Sequence, residues 1–236
     1  MMTKTILILA NSIRSSNRCI AGREATYDGQ KWIVSTWIRP VSANGDGEVS
    51  PIESQCSDGS QPAVLDVMTV PLVGPVPCSC QPENYHIDST QRWIRAGQVS
   101  QDVSQIVEHP TSLWFQPGTK ADRIHSTAIQ VGSGFQSLYL IRPEGLKFRI
   151  WTEMNQFRGG QHKQRRALFQ YVGEHYELSI TDPSMDYRYF NPFPALGQPP
   201  RDIVPKAPDR SLLVVSLAHA PLNGYHYKVV ATVLEY

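Results

Sequence analysis

The apolar residues of this chain come in short runs, most of them alternating with polar residues, and that spacing limits what the chain can fold into. The first half carries "TILILA" (5–10), "WIVSTWIRPV" (32–41) and "VLDVMTVPLV" (64–73). The second carries "STAIQV" (126–131), "SLYLIRP" (137–143), "KFRIWTEM" (147–154), "RRALFQYV" (165–172), "HYELSIT" (175–181), "SLLVVSLAH" (211–219) and "YHYKVVATVLEY" (225–236). A period of two is the mark of a strand with one buried face. Turn-rich segments such as "SANGDGEVSP" (42–51) and "SQCSDGSQP" (54–62) punctuate the runs, and "VGSGF" (131–135) reads as a hairpin turn. One segment has helical spacing: "QVSQDVSQIVEH" (98–109) puts Val99, Val103, Ile106 and Val107 on one face, with Ser100 as N-cap and His109-Pro110 as the stop. With helical crossovers so scarce, small barrels or sandwiches fit better than a parallel α/β sheet.

The 236 residues suffice for two domains of roughly 100–130 residues. The expected division is 1–110 and 111–236, each a small β-barrel or sandwich with few short helices. The proline-rich stretch 183–210 reads as an irregular excursion over the surface. One hairpin can be specified: Gly173-Glu174 as a type II′ turn would pair Tyr171 with Tyr176 and Phe169 with Leu178. It would send Ala167, Phe169, Tyr171, Tyr176, Leu178 and Ile180 to the core, with Gln170, Val172, His175 and Glu177 outside.

Charge excludes a globally basic binder, because the formal net charge is only +1. Residues 1–110 hold 8 Lys+Arg against 11 Asp+Glu, a net of −3, and residues 111–236 hold 14 against 10, a net of +4. No apolar run approaches the ~18–20 residues of a membrane span, and the apolar start is too short for a secretory signal. A soluble cytoplasmic protein is expected. Four cysteines make no disulfide framework at this size, and Cys78-Ser-Cys80 with His86 lacks the second ligand pair of a zinc knuckle. No phosphate-binding loop, zinc-protease helix, nucleophile elbow or dinucleotide fingerprint is present. His86 and Asp88 lie two apart and could orient a general base, but such a pair also occurs as an ordinary turn feature. Neither metal nor cofactor is expected, and no catalytic residue is assigned.

Five blocks, "RCIAGRE" (18–24), "WIRPVS" (37–42), "QPENYHID" (81–88), "YELSITDP" (176–183) and "SLAHAPLNGYHYKVVAT" (216–232), resemble in order and spacing the bacterial dual OB domain-containing proteins. The resemblance runs over nearly the whole chain. It implies two OB-like β-barrels in tandem, nucleic-acid binding inferred from that fold, and an association with prokaryotic mobile-element conflict. It supplies no catalytic residue.

Three places carry the chemistry of a nucleic-acid surface. "FRGGQHKQRRALFQY" (157–171) holds Arg158, Lys163, Arg165 and Arg166 without an acid, beside two glycines that let the backbone approach a phosphate. A solvated loop is the competing reading. "SIRSSNRCIAGRE" (12–24) offers Arg14, Arg18 and Arg23 among small polar residues, with salt bridges to Glu24 or Asp28 as the alternative. Strand alternation supplies the third: Trp37 with Arg39, and Trp151 with Arg149, share the more polar side of their strands. A ring to stack a base beside a guanidinium for the phosphate is what single-stranded nucleic acid requires. The opposing reading makes each tryptophan part of a second small core. The chain is therefore read as a non-enzymatic binder, single-stranded DNA or RNA favoured. The alternative is an adaptor or sensor subunit whose barrels bind a protein or a small nucleotide.

Overall fold

The structure, a computed structural model, describes every residue except Met1, Ser15, Ser79 and residues 101–102, 115–120, 130–133, 156–158 and 220–222; of Arg14 it describes the backbone alone. The chain divides into two units, Met1–Val107 with Ile129–Leu138, and Glu108–Ala128 with Tyr139–Tyr236. The expected cut at 110 missed the return of Ile129–Leu138 to the first unit, which no periodicity in that short segment signals. Among the described residues no helix is long and apolar enough to cross a membrane.

The first unit contains β1 (Met2–Arg14), β2 (Asn17–Tyr27), β3 (Trp32–Val41), β4 (Asp66–Pro75), β5 (Asn84–Ile87) and β6 (Ile94–Gln98). Their order is β1-β2-β3-β5-β4, and β1 pairs again with β4, so five strands close a ring. The β3–β5 pairing is parallel and the others of the ring are antiparallel. That connection is the Greek-key barrel of an OB fold. The long β1 serves both sides of the ring, meeting β4 along Met2–Leu7 and β2 along Ile6–Arg14. At the crossing a β-carbon on Gly22 would stand 2.1 Å from the Leu7 carbonyl oxygen, so only glycine lets the strands approach. Ile6, Ile8, Ile20, Ile38, Met68, Leu72 and Trp93 fill the interior.

The second unit contains β7 (Arg123–His125), β8 (Leu138–Ile141), β9 (Glu144–Met154), β10 (Gln161–Tyr171), β11 (Glu174–Ile180), β12 (Arg201–Ile203), β13 (Ser211–Leu217) and β14 (Tyr225–Glu235). Its sheet runs β12-β9-β10-β11-β14-β13-β8, with β11 and β14 parallel and β7 on β14. The plan of the first barrel reappears once β8 and β9 are taken as one strand broken at Arg142-Pro143. β8 lies on β13 as β1 lies on β4, and β9 lies on β10 as β1 lies on β2. Proline has no N–H to give the ladder, and the break falls there.

Several expectations change. The helix over 98–109 is a single 3-10 turn, Ser104–Ile106. Its valines and isoleucine are β-branched and favour extended backbone, and the Val99 N–H bonds the Leu65 carbonyl at 2.9 Å. "STAIQV" is no strand where it is described: Ser126–Ala128 is a 3-10 turn after β7. Residues 131–133 of "VGSGF" lie outside the described residues. The 183–210 excursion holds a short π-helix, Asp186–Phe190, then β12 and a 3-10 turn, Pro208–Arg210.

The β10–β11 hairpin turns one residue earlier than expected, at Val172-Gly173, both with positive φ (49° and 77°). Tyr171 therefore faces Glu174, and Phe169 faces Tyr176 with the rings stacked at 5.4 Å. A primed turn with both central residues left-handed suits the strand twist, and the aromatic pair fixes the register. The pairing shifts by two residues, so every side chain keeps its face. Ala167, Phe169, Tyr171, Tyr176, Leu178 and Ile180 are all buried.

Near the same core, Lys228 is 2% exposed, its ammonium 5.6 Å from the centre of the Tyr176 ring. Burial pushes its pKa down to about 8, against a smaller upward pull from Asp122. The unfolded chain then binds more protons than the folded one between about pH 8 and the ordinary lysine range. Stability should rise across that interval, by on the order of 2–3 kcal/mol. Burial raises the Tyr171 hydroxyl to about 12, so from pH 10 upward the folded chain holds the extra proton and stability should fall again. Thermal melts of Lys228→Met across this range should show a higher melting temperature at neutral pH and no rise between pH 8 and 10.

Candidate nucleic-acid interface

An OB barrel offers a ligand the outer face of its second and third strands and the loops beside it. In the first unit the part of that face around Trp37 and Arg39 is buried. Trp37 stands opposite Arg23 across β2 and β3, yet Trp37 is 4% and Arg39 8% exposed. The Arg39 guanidinium donates to the Glu83 carboxylate at 3.0 and 3.2 Å and to the Ser137 hydroxyl at 2.8 Å. The Ser137 hydroxyl donates in turn to Glu83. Arg23 donates to the carbonyls of Ser35 and Ile106. The same unit's own segments, around Ile106 and Ser137, thus occupy the groups expected to meet a nucleotide. Trp37 and Arg39 were expected on an exposed polar side and are buried instead.

A β-bulge contributes to that error. Arg23 faces Trp37 and Ala25 faces Val34, so Ser35 and Thr36 together oppose one residue of β2. The alternation read through "WIVSTWIRPV" breaks there, and Trp37–Val41 is buried on both faces. The other arginines of this half are also accounted for in part. Arg14 ends β1 opposite Asn17, and Arg18 is half-buried with its backbone bonded to Val49. The expected acidic partners are engaged elsewhere: Glu24 takes Lys4 at 2.7 Å, and Asp28 caps the turn to Lys31.

In the second unit the outer face of β9, β10 and β11 is open, the first strand of the plan included. Along β9 the inward residues Leu146, Phe148, Ile150 and Thr152 are buried, whereas Lys147 and Glu153 are exposed and Arg149 and Trp151 half-exposed. This alternation is the one anticipated. Trp151 lies beside Gln164 of β10, and its indole N–H donates to Glu153 at 2.8 Å. Gln164 donates to the other oxygen of that carboxylate at 2.7 Å. These two bonds hold Glu153 below the usual carboxylate range and fix the ring.

Next to the ring, the register places Asp202, Arg149, Arg166 and Ser179 in one row across four strands. Arg149 makes a two-pronged pair with Asp202 at 2.7 and 2.8 Å, and Arg166 donates to the Ser179 hydroxyl at 2.8 Å. The Arg166 Nε is buried without a hydrogen-bond partner. Two guanidiniums directly opposite each other repel across a sheet. Such a pair suits an anion bridging both.

The basic stretch divides by strand parity. Arg158 lies outside the described residues. Lys163 and Arg165 take the inward parity and close on Phe193, each cation 4.9 Å from the ring centre. Arg165 also pairs with Asp186 through two bonds of 2.7 Å. These two cations hold the 183–194 excursion, and of the three described cations Arg166 turns to the outer face. Sequence reasoning missed a second outward group at the start of β14. Arg123 lies 4.8 Å from the Tyr227 ring and 5.8 Å from that of Tyr225, with His125 edge-on to Tyr225. The alternation in "YHYK", with His226 and Lys228 buried, was the available signal.

Asp88 accepts from Thr90 and Gln91 in a turn, which lowers its carboxyl. No group of three metal-ligating side chains occurs among the described residues.

A family model for the dual OB-containing domain matches residues 4–233, and the chain belongs to that family. No curated protein and no solved structure matches it. OB domains generally bind nucleic acids or other ligands. The two tryptophans should behave oppositely on truncation. Trp37→Ala should lose about 3–5 kcal/mol of stability, as buried aromatic residues do. Trp151→Ala should lose well under half of that, and denaturant titrations of the two variants would read the contrast.

Proposed function

We propose that the protein is a non-enzymatic single-strand nucleic-acid-binding protein that holds DNA or RNA on the outer face of its second barrel. One observation carries the reading: a half-exposed Trp151, fixed by Glu153, beside the facing guanidiniums of Arg149 and Arg166. The indole offers a base a surface to stack on, and the two arginines receive the neighbouring phosphate. No base-edge code is needed for such binding, so it tolerates sequence. The setting in prokaryotic mobile-element conflict, implied by the family resemblance, belongs to the same proposal.

Fluorescence anisotropy against single- and double-stranded DNA and RNA at two salt concentrations tests it. Single strands should bind more tightly than duplexes, and affinity should fall with salt as counterions are released. An adaptor binding a protein partner would show no such slope with oligonucleotides. Trp151→Ala should cost about 1–3 kcal/mol of binding. Asp202→Asn should strengthen binding, because it removes the carboxylate that competes with phosphate for Arg149. Equal affinity in wild type, Trp151→Ala and Asp202→Asn would remove this face from the binding surface.

A further inference from the structure

A gap in the strand ladder of the second unit lies along β9 on the N-terminal side of the tryptophan. β12 pairs with β9 only over Phe148–Ile150, and β13 lies on β8. The chain joining β12 to β13, residues 204–210, therefore runs past 142–147 and bulges away from it. Pro205 and Pro208 have no N–H to continue the ladder. Among the described residues no backbone hydrogen bond crosses this gap. The Arg142 guanidinium spans it, to the Asp209 carbonyl at 2.7 Å.

The gap opens into a groove of about 910 Å³. Leu146, Tyr171, Val172 and Val204 give it apolar walls, and Lys147 and His109 stand on its rim. Tyr171 is held in place by donating to the Pro110 carbonyl at 2.9 Å. Gly145, at φ 60°, lies opposite Phe169 in a bulge of β9, and nothing stands within 4 Å of where its side chain would be. Small-molecule sites are usually of this size, mostly apolar with a few placed polar groups. The polar side chains of this groove are His109, Thr111, Arg142, Glu144, Lys147 and Asp209. The 142–147 edge facing the groove has no strand partner, so its peptide N–H and C=O groups can meet the edge of a nucleobase. Lys147 shares its face with Arg149 and Trp151. Four residues of strand separate Trp151 from Lys147, roughly 13 Å, about the reach of two nucleotides of an extended strand.

We infer that this groove is a base-reading pocket, into which one nucleobase of a single strand held at Trp151 turns while Lys147 takes its phosphate. The inference rests on the proposed role of the Trp151 face and adds to it a position at which the strand is read. Sequence-tolerant stacking at Trp151 would then be joined by one position of base preference.

The experiment uses the full chain and short thymidine oligonucleotides, each carrying one abasic position, in anisotropy titrations. Wild type should show two sensitive positions about two nucleotides apart, each abasic substitution weakening binding roughly tenfold. Val204→Trp, at a residue 60% exposed, fills the groove without touching the core. It should erase the penalty at one position and leave the other, while Trp151→Ala does the reverse. An unaltered two-position profile in Val204→Trp, or a single sensitive position in wild type, overturns the pocket and spares the platform. Failure of wild type to bind any single strand overturns both. A thermal melt of Val204→Trp matching wild type assigns the change to the groove rather than to unfolding.

Discussion

A buried ion pair organises the first half of this molecule. Arg39 and Glu83 lie almost wholly out of water, and two charges desolvated together are tolerated only when their hydrogen bonds are satisfied. The Ser137 hydroxyl completes that set, accepting from the arginine and donating to the carboxylate. A residue nearly a hundred positions away in sequence is thereby required where β3 meets β5. Its arrival brings Ile129–Leu138 back to the first unit.

The two barrels share a strand plan and differ in what that plan leaves open. In the first, a guanidinium on the outer face is turned into structure by a buried carboxylate. In the second, the facing arginines have partners that are exposed or neutral, Asp202 and Ser179. Exposed ion pairs are worth little, because water and salt compete with them. Arg149 can exchange a carboxylate for a phosphate at small cost, and Arg39 cannot.

Much of this was legible in the sequence, and the failures have definite causes. Period-two alternation in "KFRIWTEM" placed Lys147, Arg149 and Trp151 outside and Phe148 and Ile150 inside, because β9 runs straight through that stretch. The same logic failed at "WIVSTWIRPV", where a bulge resets the alternation and distant residues cover the outer face. The hairpin was misplaced by one residue at its turn, yet its core was right, since a register shift of two preserves parity. Lys163, Arg165 and Arg166 look alike in sequence. Their separation depends on Phe193 and Asp186, supplied by an excursion that carries no periodic signal.

The broken first strand of the second barrel and the late return to the first together set the order in which the chain can be completed. The segment that seals the first barrel is also the one that runs directly into β8. During synthesis the first barrel has all its strands once Gln98 has emerged, but Arg39 and Glu83 still lack the hydroxyl between them. Until Ser137 follows, the first barrel carries an incompletely bonded ion pair. Cutting the gene between the strand sets would make that interim state permanent. The first barrel alone would therefore be a poorer miniature of itself than its closed ring of strands suggests, and dissection should keep residues 1–138 together.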